Sequence, residues 1–385
     1  MDIIIQPRLL RGKLQIIPSK SQAHRYLICA ALGKRSYTII CPETNRDIES
    51  TVKCLNAMGA SIVRTRDGYE VTPIVSPPKS AVLECGESGS TIRFLLPVAG
   101  ALGIEATFIM EGRLPYRPMS PLWEEMERMG CHLTRPSETT ILCTGKLVPG
   151  KYRIDGSVSS QFVSGLLFAL PLIGCSSLAI TGNIESADYI RMTQIAIEKF
   201  SNDTIDNDIF VEGDWSNGAF WIAANALGSD IAIAGLNSDS AQGDRRSAEL
   251  ISGLAYPMTI SAKDIPDLIP ILSVVAASNQ GAIFTDIQRL RTKESDRVAS
   301  TIAMLKALGG HAEATEDTLT VYPAHFQKGV VDACNDHRIA MSAAIAATIA
   351  DGPVLILGAE CTQKSYPRFW EEYKQLGGAY EQYLR

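Results

Sequence analysis

Residues 290–297 place Lys293 and Arg297 on one face among Glu294, Ser295 and Asp296, and an amphipathic pattern follows in which Val298, Ile302, Leu305 and Leu308 recur at helical spacing. Gly309 and Gly310 close the pattern, so the charged cluster is expected in the first turn of a helix. A helix N-terminus already carries about half a positive charge, so cations there call for an anion. Glu294 and Asp296 are one source of it, as in an ordinary ion-paired helix start. A bound phosphate or carboxylate is the other. The arrangement recurs: Ser19, Lys20, Ser21 and Arg25 precede an apolar run at 26–32, with Gly33 as its cap, and Gly86, Ser88, Gly89 and Arg93 lead into 94–101. Asp336, His337 and Arg338 lead into 339–349, and Lys364, Ser365 and Arg368 into 369–376. Five predicted helix starts thus combine free backbone N–H groups, small polar side chains and fixed positive charge, the chemistry of a site for several anions.

These cations are placed rather than massed. The chain of 385 residues carries a formal charge of −6 and 20% charged residues, which argues against a nucleic-acid surface. Its length allows two or three domains. No apolar run is long enough to span a bilayer, and residues 1–7 lack a basic leader, so a cytoplasmic protein is expected, without a membrane partner. Nine scattered cysteines without a Cys-x-x-Cys pair suit free thiols in a reducing compartment, and the five isolated histidines assemble no metal site.

The elements that must position the cations repeat. Residues 54–60, 126–131 and 305–310 each end a helical pattern on an apolar residue, glycine and a small residue, and each leads into two short strand-like runs: 61–64 with 69–72, 132–134 with 140–143, and 311–314 with 318–322. Strand candidates at 37–41, 107–110 and 282–285 lie upstream. The unit is strands and helices ending in a hairpin, an α/β repeat. Segments 199–208 and 252–266 leave too little chain for a hairpin and are expected to be degenerate units. Extended runs enter helices near Pro18 and at Gly213–Asp214, dividing the chain into a contiguous domain, 18–212, and a second made of 1–17 plus 213–385.

In chain order, Ser19, Lys20, Ser21 and Arg25; Gly86, Ser88, Gly89 and Arg93; Arg117, Pro118 and Met119; Ser159, Ser160 and Gln161; Ile265, Pro266 and Asp267; the 290–297 cluster; Asp336, His337 and Arg338; and Cys361, Thr362 and Lys364 form a series. The series resembles the signature of the 5-enolpyruvylshikimate-3-phosphate synthase family across nearly the whole chain. Within the enolpyruvyl transferases the Lys293–Arg297 and Asp336–Arg338 motifs are specific to that family.

The resemblance implies a two-domain inverse α/β barrel of βαβαββ units with the active site in the interdomain cleft, no cofactor or metal, and commonly a monomer. It implies transfer of the enolpyruvyl group of phosphoenolpyruvate to the 5-hydroxyl of shikimate 3-phosphate, releasing phosphate, with glyphosate as an inhibitor. By the same resemblance Lys20, Gly89, Arg117, Gln161, Arg297, Arg338 and Lys364 would hold phosphoenolpyruvate. Ser21, Arg25, Ser159, Ser160, Gln161, Ser186, Tyr189, Asp267 and Lys293 would hold shikimate 3-phosphate.

Asp267 would be the general base, and Glu294 with Lys20 or Lys364 would move the proton onto carbon. Read locally, Asp267 also fits a helix-capping acid, and His337 an orienting residue. Two positions depart from the family pattern: Glu87 stands where an Asn is usual, and Arg289 where an Asn or acid is often found. The alternatives are an enolpyruvyl transferase acting on UDP-N-acetylglucosamine, whose loop carries a Cys that residues 111–119 lack, and a non-catalytic phosphometabolite-binding homologue.

Overall fold

The computed structural model describes residues 1–202 and 204–383. It divides into two compact units, Pro18–Glu212 and Met1–Ile17 with Gly213–Arg385, each with its own hydrophobic core.

In the first unit the helices are α1 (Lys20–Ala31), α2 (Arg46–Ala57), α3 (Gly89–Leu102), α4 (Leu122–Arg128), α5 (Ser160–Ile173) and α6 (Ala187–Ser201). The strands Ser80–Gly86, Glu105–Met110, Cys131–Ser137 and Thr140–Gly145 alternate with α3 and α4 as one uninterrupted βαβαββ unit. Its first two strands are parallel, and the hairpin adds to them in antiparallel fashion. A second unit takes Tyr37–Ile40, Ser61–Arg64 and Gly68–Thr72 from around α1 and α2, but borrows its outer parallel strand, Asp208–Phe210, from the far end of the domain. The third is only the parallel pair Lys151–Asp155 and Ser177–Thr181 with α5 and α6.

The other unit repeats the scheme with α7 (Trp215–Ala226), α8 (Ser247–Gly253), α9 (Ile269–Ser278), α10 (Arg297–Ala307), α11 (His337–Ala347) and α12 (Phe369–Gln375). Met258–Ser261, Ala282–Thr285, Ala312–Ala314 and Thr318–Val321 make a full unit with α9 and α10. Gly329–Asp332, Val354–Leu357 and Ala379–Tyr383 complete another by inserting the N-terminal strand Asp2–Gln6. Arg11–Gln15 and Asp230–Ala234, with α7 and α8, form the short one. The degenerate units therefore fall at the two abbreviated segments, of which Asp203 lies outside the described residues. The strands form six small sheets, none closed on itself among the described residues.

The reason helices occupy the interior is composition. α3, α9 and α11 are buried along almost their whole length, which an all-round apolar helix requires. Close approach needs glycine: a Cβ on Gly165 in α5 would stand 2.1 Å from the Arg93 backbone oxygen in α3. The repeated glycines after α2, α4 and α10 are needed differently, since Gly59, Gly130 and Gly309 adopt φ of +104°, +106° and +80°, a region that favours glycine where a helix reverses into a hairpin. No helix among the described residues is long and apolar enough to cross a membrane.

One sequence-based expectation is corrected. The 290–297 cluster does not lie in one helical turn: Gln288–Thr292 is a 3-10 turn, Lys293 is extended, and α10 begins only at Arg297. Asp296 sets the start, because its carboxylate accepts the Val298 and Ala299 N–H groups at 3.1 Å each. As expected, Lys364 precedes α12, which begins at Phe369; Lys364 itself ends the 3-10 turn Ala359–Lys364.

Candidate active site

In the first unit the expected anion ligands collect at the starts of α1, α3, α5 and α6. Lys20 is the first residue of α1, behind the Ser19 cap, and its Nζ donates to Asp47 Oδ2 at 2.9 Å. Ser159 caps α5 by accepting the Gln161 N–H, and Ser160 is that helix's first residue. The Gln161 side chain ties α5 to α3, accepting from Arg93 Nη1 at 2.8 Å and donating to Ser90 Oγ at 2.9 Å.

Gly89 is the closest point of this group. A Cβ there would lie 2.8 Å from Arg93 Nη1 and 2.9 Å from Arg117 Nη1, which places the two guanidinium nitrogens less than 6 Å apart. Two like charges that close invite an anion between them. The α3 start is fixed from behind by a buried relay in which His24 Nδ1 meets Thr51 Oγ1, Thr51 meets Thr91 Oγ1, and Thr91 donates to the capping Ser88 Oγ, each at 2.7 Å. Burial, reinforced by Lys20 and Arg25, holds the His24 pKa well below its usual value, so it remains neutral in the relay. The Glu87 carboxylate lies over Gly112, whose missing Cβ and φ of +55° leave room for it.

Arg25 is 3% exposed and donates to Thr193 Oγ1, the Ser21 carbonyl and the Tyr189 carbonyl at 2.8–2.9 Å. Three of the five N–H groups of a guanidinium are thereby committed to the fold. Ser186, just before α6, is a buried non-glycine at φ +51°, a costly conformation of the kind that clusters at functional sites.

In the second unit Asp267 does not cap a helix: the cap of α9 is Leu268, and Asp267 turns instead to Lys293 Nζ at 3.2 Å and Arg297 Nη1 at 2.5 Å. Arg297, 1% exposed, also donates through Nη2 to Glu294 Oε2 at 2.7 Å and through Nε to Asp336 Oδ2 at 2.8 Å. It is a buried cation shared by three carboxylates, and its removal would leave their negative charge uncompensated. Burial alone would raise Asp267, but Lys293, Arg297 and Arg338 outweigh it and hold its pKa well below the carboxylate range. Lys293 moves the other way, lowered to about 8 by burial against the support of Asp267, with Arg289 and Arg297 adding to the drop.

Asp336 caps α11 by accepting the Arg338 N–H at 2.9 Å, and Arg338 Nη1 donates to the Ser216 carbonyl at 2.8 Å. Lys364 Nζ reaches the Asn335 carbonyl at 2.8 Å. Cys334 and Asn335, at φ +51° and +52°, bend the chain sharply into this cap.

The second cluster thus brings together Asp267, Lys293, Glu294, Arg297 and Arg338, and the first brings together Gly89, Arg93, Arg117 and Gln161. The sequence named Arg93 and Asp336 within the helix-start motifs but not their partners, and did not single out Asp47. Asp47 gives no local sign. Among the described residues no group of three or more His, Cys, Asp or Glu side chains is arranged to hold a metal.

A sequence profile of EPSP synthase (3-phosphoshikimate 1-carboxyvinyltransferase) matches residues 4–260 and 252–373. Curated proteins named 3-phosphoshikimate 1-carboxyvinyltransferase are similar over their whole length. That of Clostridium beijerinckii is 34% identical, with 99% of each chain covered, and that of Clostridium kluyveri is 35% identical, covering 99% of this chain and 98% of its own. Among solved structures, the EPSP synthase of Acinetobacter baumannii has a similar fold, with a TM-score of 0.77 at 21% identity over 99% of this chain and 100% of its own. So has the enolpyruvyl transferase NikO of Streptomyces tendae, with a TM-score of 0.76 at 16% identity, covering 99% of this chain and 98% of its own.

Proposed function

The chain belongs to the EPSP synthase family, and from that membership we propose how its residues carry the reaction. It transfers the carboxyvinyl group of phosphoenolpyruvate to the 5-hydroxyl of shikimate 3-phosphate and releases phosphate, within the biosynthesis of aromatic amino acids. The proposal is that both clusters serve this one reaction. Lys20, Gly89, Arg117, Gln161, Arg297, Arg338 and Lys364 hold the donor; Ser21, Arg25, Ser159, Ser160, Gln161, Ser186, Tyr189, Asp267 and Lys293 hold the acceptor.

The observation that carries it is the position of Asp267, bonded at once to Lys293, assigned to the acceptor, and to Arg297, assigned to the donor. While both cations hold it, Asp267 is too weak a base to take a hydroxyl proton. Substrate phosphate and carboxylate groups compete for the same cations. As Lys293 and Arg297 turn to them, Asp267 loses its stabilising partners and gains basicity beside the acceptor hydroxyl.

Asp267 then removes the hydroxyl proton while the oxygen attacks the central carbon of the donor and the methylene carbon takes up a proton. Loss of a proton from the resulting methyl group expels phosphate and restores the double bond. Glu294, bonded to Arg297, is in this reading the carboxyl partner for the proton at carbon, with Lys20 or Lys364 beside it. A reducing cytoplasm goes with the reading, supported by nine cysteines that are all free thiols, and so does the monomer that the family resemblance implies.

The assignment of donor ligands to both units is tested by Lys20→Met and Arg338→Gln. Each removes one charge-assisted contact, worth about 1.5–3 kcal/mol, so each is expected to raise the KM for phosphoenolpyruvate about tenfold or more. The KM for shikimate 3-phosphate should change less. A normal donor KM in either folded variant removes that residue from the site.

A further inference from the structure

The turn between Asp230–Ala234 and α8 is fastened to the first residues of α7. Trp215 Nε1 donates to the Asn237 carbonyl at 2.9 Å, and the Trp215 backbone N–H donates to Gln242 Oε1 at 3.1 Å. Gln242 Nε2 returns a bond to the Gly213 carbonyl at 2.8 Å. Two residues on, Asp244 Oδ2 accepts the Ser216 hydroxyl. The carbonyl of the same Ser216 receives Arg338 Nη1. Ser216 is therefore held on its side-chain face by Asp244 and on its backbone face by Arg338, all three at least nine-tenths buried.

We propose that Asp244 is a positioning residue for donor binding: through Ser216 it fixes the carbonyl that aims Arg338, and its carboxylate is part of the negative charge against which Arg338 is held. The inference rests on Arg338 being a donor ligand, as assigned above.

The charges around Asp244 give the contact a pH response. Asp267, before α9, and Asp214, the cap of α7, face it as like charges, and Arg338 faces it from α11. Its own neighbours Arg245 and Arg246 turn to the Ser238 carbonyl and toward Asp264. Burial first, then Asp267, push Asp244 up to about 6, against the Ser216 bond and Arg338. Asp244 is thus ionised at neutral pH and neutral below about 6. A donor anion arriving at Arg338 brings negative charge to the same cluster and favours the protonated carboxyl. Donor binding therefore draws a proton onto Asp244, and by reciprocity a neutral Asp244 strengthens donor binding. Stability has the matching sign: a carboxyl raised above its unfolded value stabilises most below the unfolded pKa and loses that contribution as pH rises through about 6.

The test compares wild type, Asp244→Asn and Asp244→Ala in kcat, in the KM of each substrate between about pH 5.5 and 7.5, and in thermal melting. Asn is permanently neutral and still offers Ser216 an oxygen. It should lower the donor KM several-fold at the alkaline end, flatten the rise of donor KM with pH relative to wild type, and melt no earlier. Ala removes the anchor and should raise the donor KM at every pH, leaving the acceptor KM in place. The donor's own phosphate titrates in this range in all three proteins, so the difference between them is what counts. An Asn variant whose donor KM follows the wild-type curve overturns the proposal, whether or not the Ala variant folds. Arg338→Gln separates the two levels: a normal donor KM there refutes the assignment of Arg338, whereas a raised one beside unresponsive Asp244 variants refutes the role of Asp244 alone.

Discussion

Asp267→Asn is expected to lower turnover by about 10²- to 10⁴-fold, the usual worth of a general base, while shikimate 3-phosphate still binds. The substitution keeps the shape of the side chain, so the contacts with Lys293 and Arg297 lose charge before they lose geometry. A second readout separates a base from a merely structural acid. Lys293 holds an anion only while protonated, so in the wild type acceptor kcat/KM should fall as pH rises through about 8. Asp267 is the main group supporting that proton, and without its charge the fall should move to lower pH. Near-normal turnover in the folded variant would end the assignment of Asp267 as base. An unmoved alkaline limb would show that Lys293 does not depend on it.

Glyphosate is expected to inhibit in competition with phosphoenolpyruvate, and Gly89→Ala to raise its inhibition constant by about tenfold or more, roughly 1.4 kcal/mol. Its phosphonate and carboxylate suit the same cations as the donor, on a longer chain. The cause of the expected resistance lies in two distances, since the new methyl would sit 2.8 Å from Arg93 Nη1 and 2.9 Å from Arg117 Nη1, closer than real contacts allow. Both side chains end in flexible groups and can yield, so the fold survives while the anion pocket between them shifts. The longer ligand is expected to lose more than the donor. Steady-state rates at several concentrations of each decide the matter. Noncompetitive inhibition would refute the shared site, and an equal loss of donor and inhibitor affinity would refute the steric argument.

The repeat was legible because helix C-termini announce themselves. The glycines at 59, 130 and 309 occupy left-handed positions that few other residues tolerate, and the strand pairs after them follow from local alternation. What sequence could not show was the borrowing of strands: Asp208–Phe210 and Asp2–Gln6 join sheets whose other members lie far along the chain, a pairing that no local pattern records. In the site, Ser159 came only from the family resemblance, whereas Lys20 and Gly89 were placed by the chemistry of helix starts. The counter-charges were not, because Asp47 and Asp336 meet their cations through tertiary approach across 27 and 39 residues. The helix boundary inside the 290–297 cluster was misplaced for a related reason. Asp296 outcompetes its neighbours as a cap, which frees Lys293 to reach Asp267 across 26 residues.

The most direct measurement is phosphate release from phosphoenolpyruvate by the purified protein, with shikimate 3-phosphate as acceptor and with UDP-N-acetylglucosamine in its place. Release that requires shikimate 3-phosphate, matches it one for one and is absent with the UDP sugar is the predicted result. Release with the UDP sugar alone, or no release with shikimate 3-phosphate although both ligands bind, would contradict it.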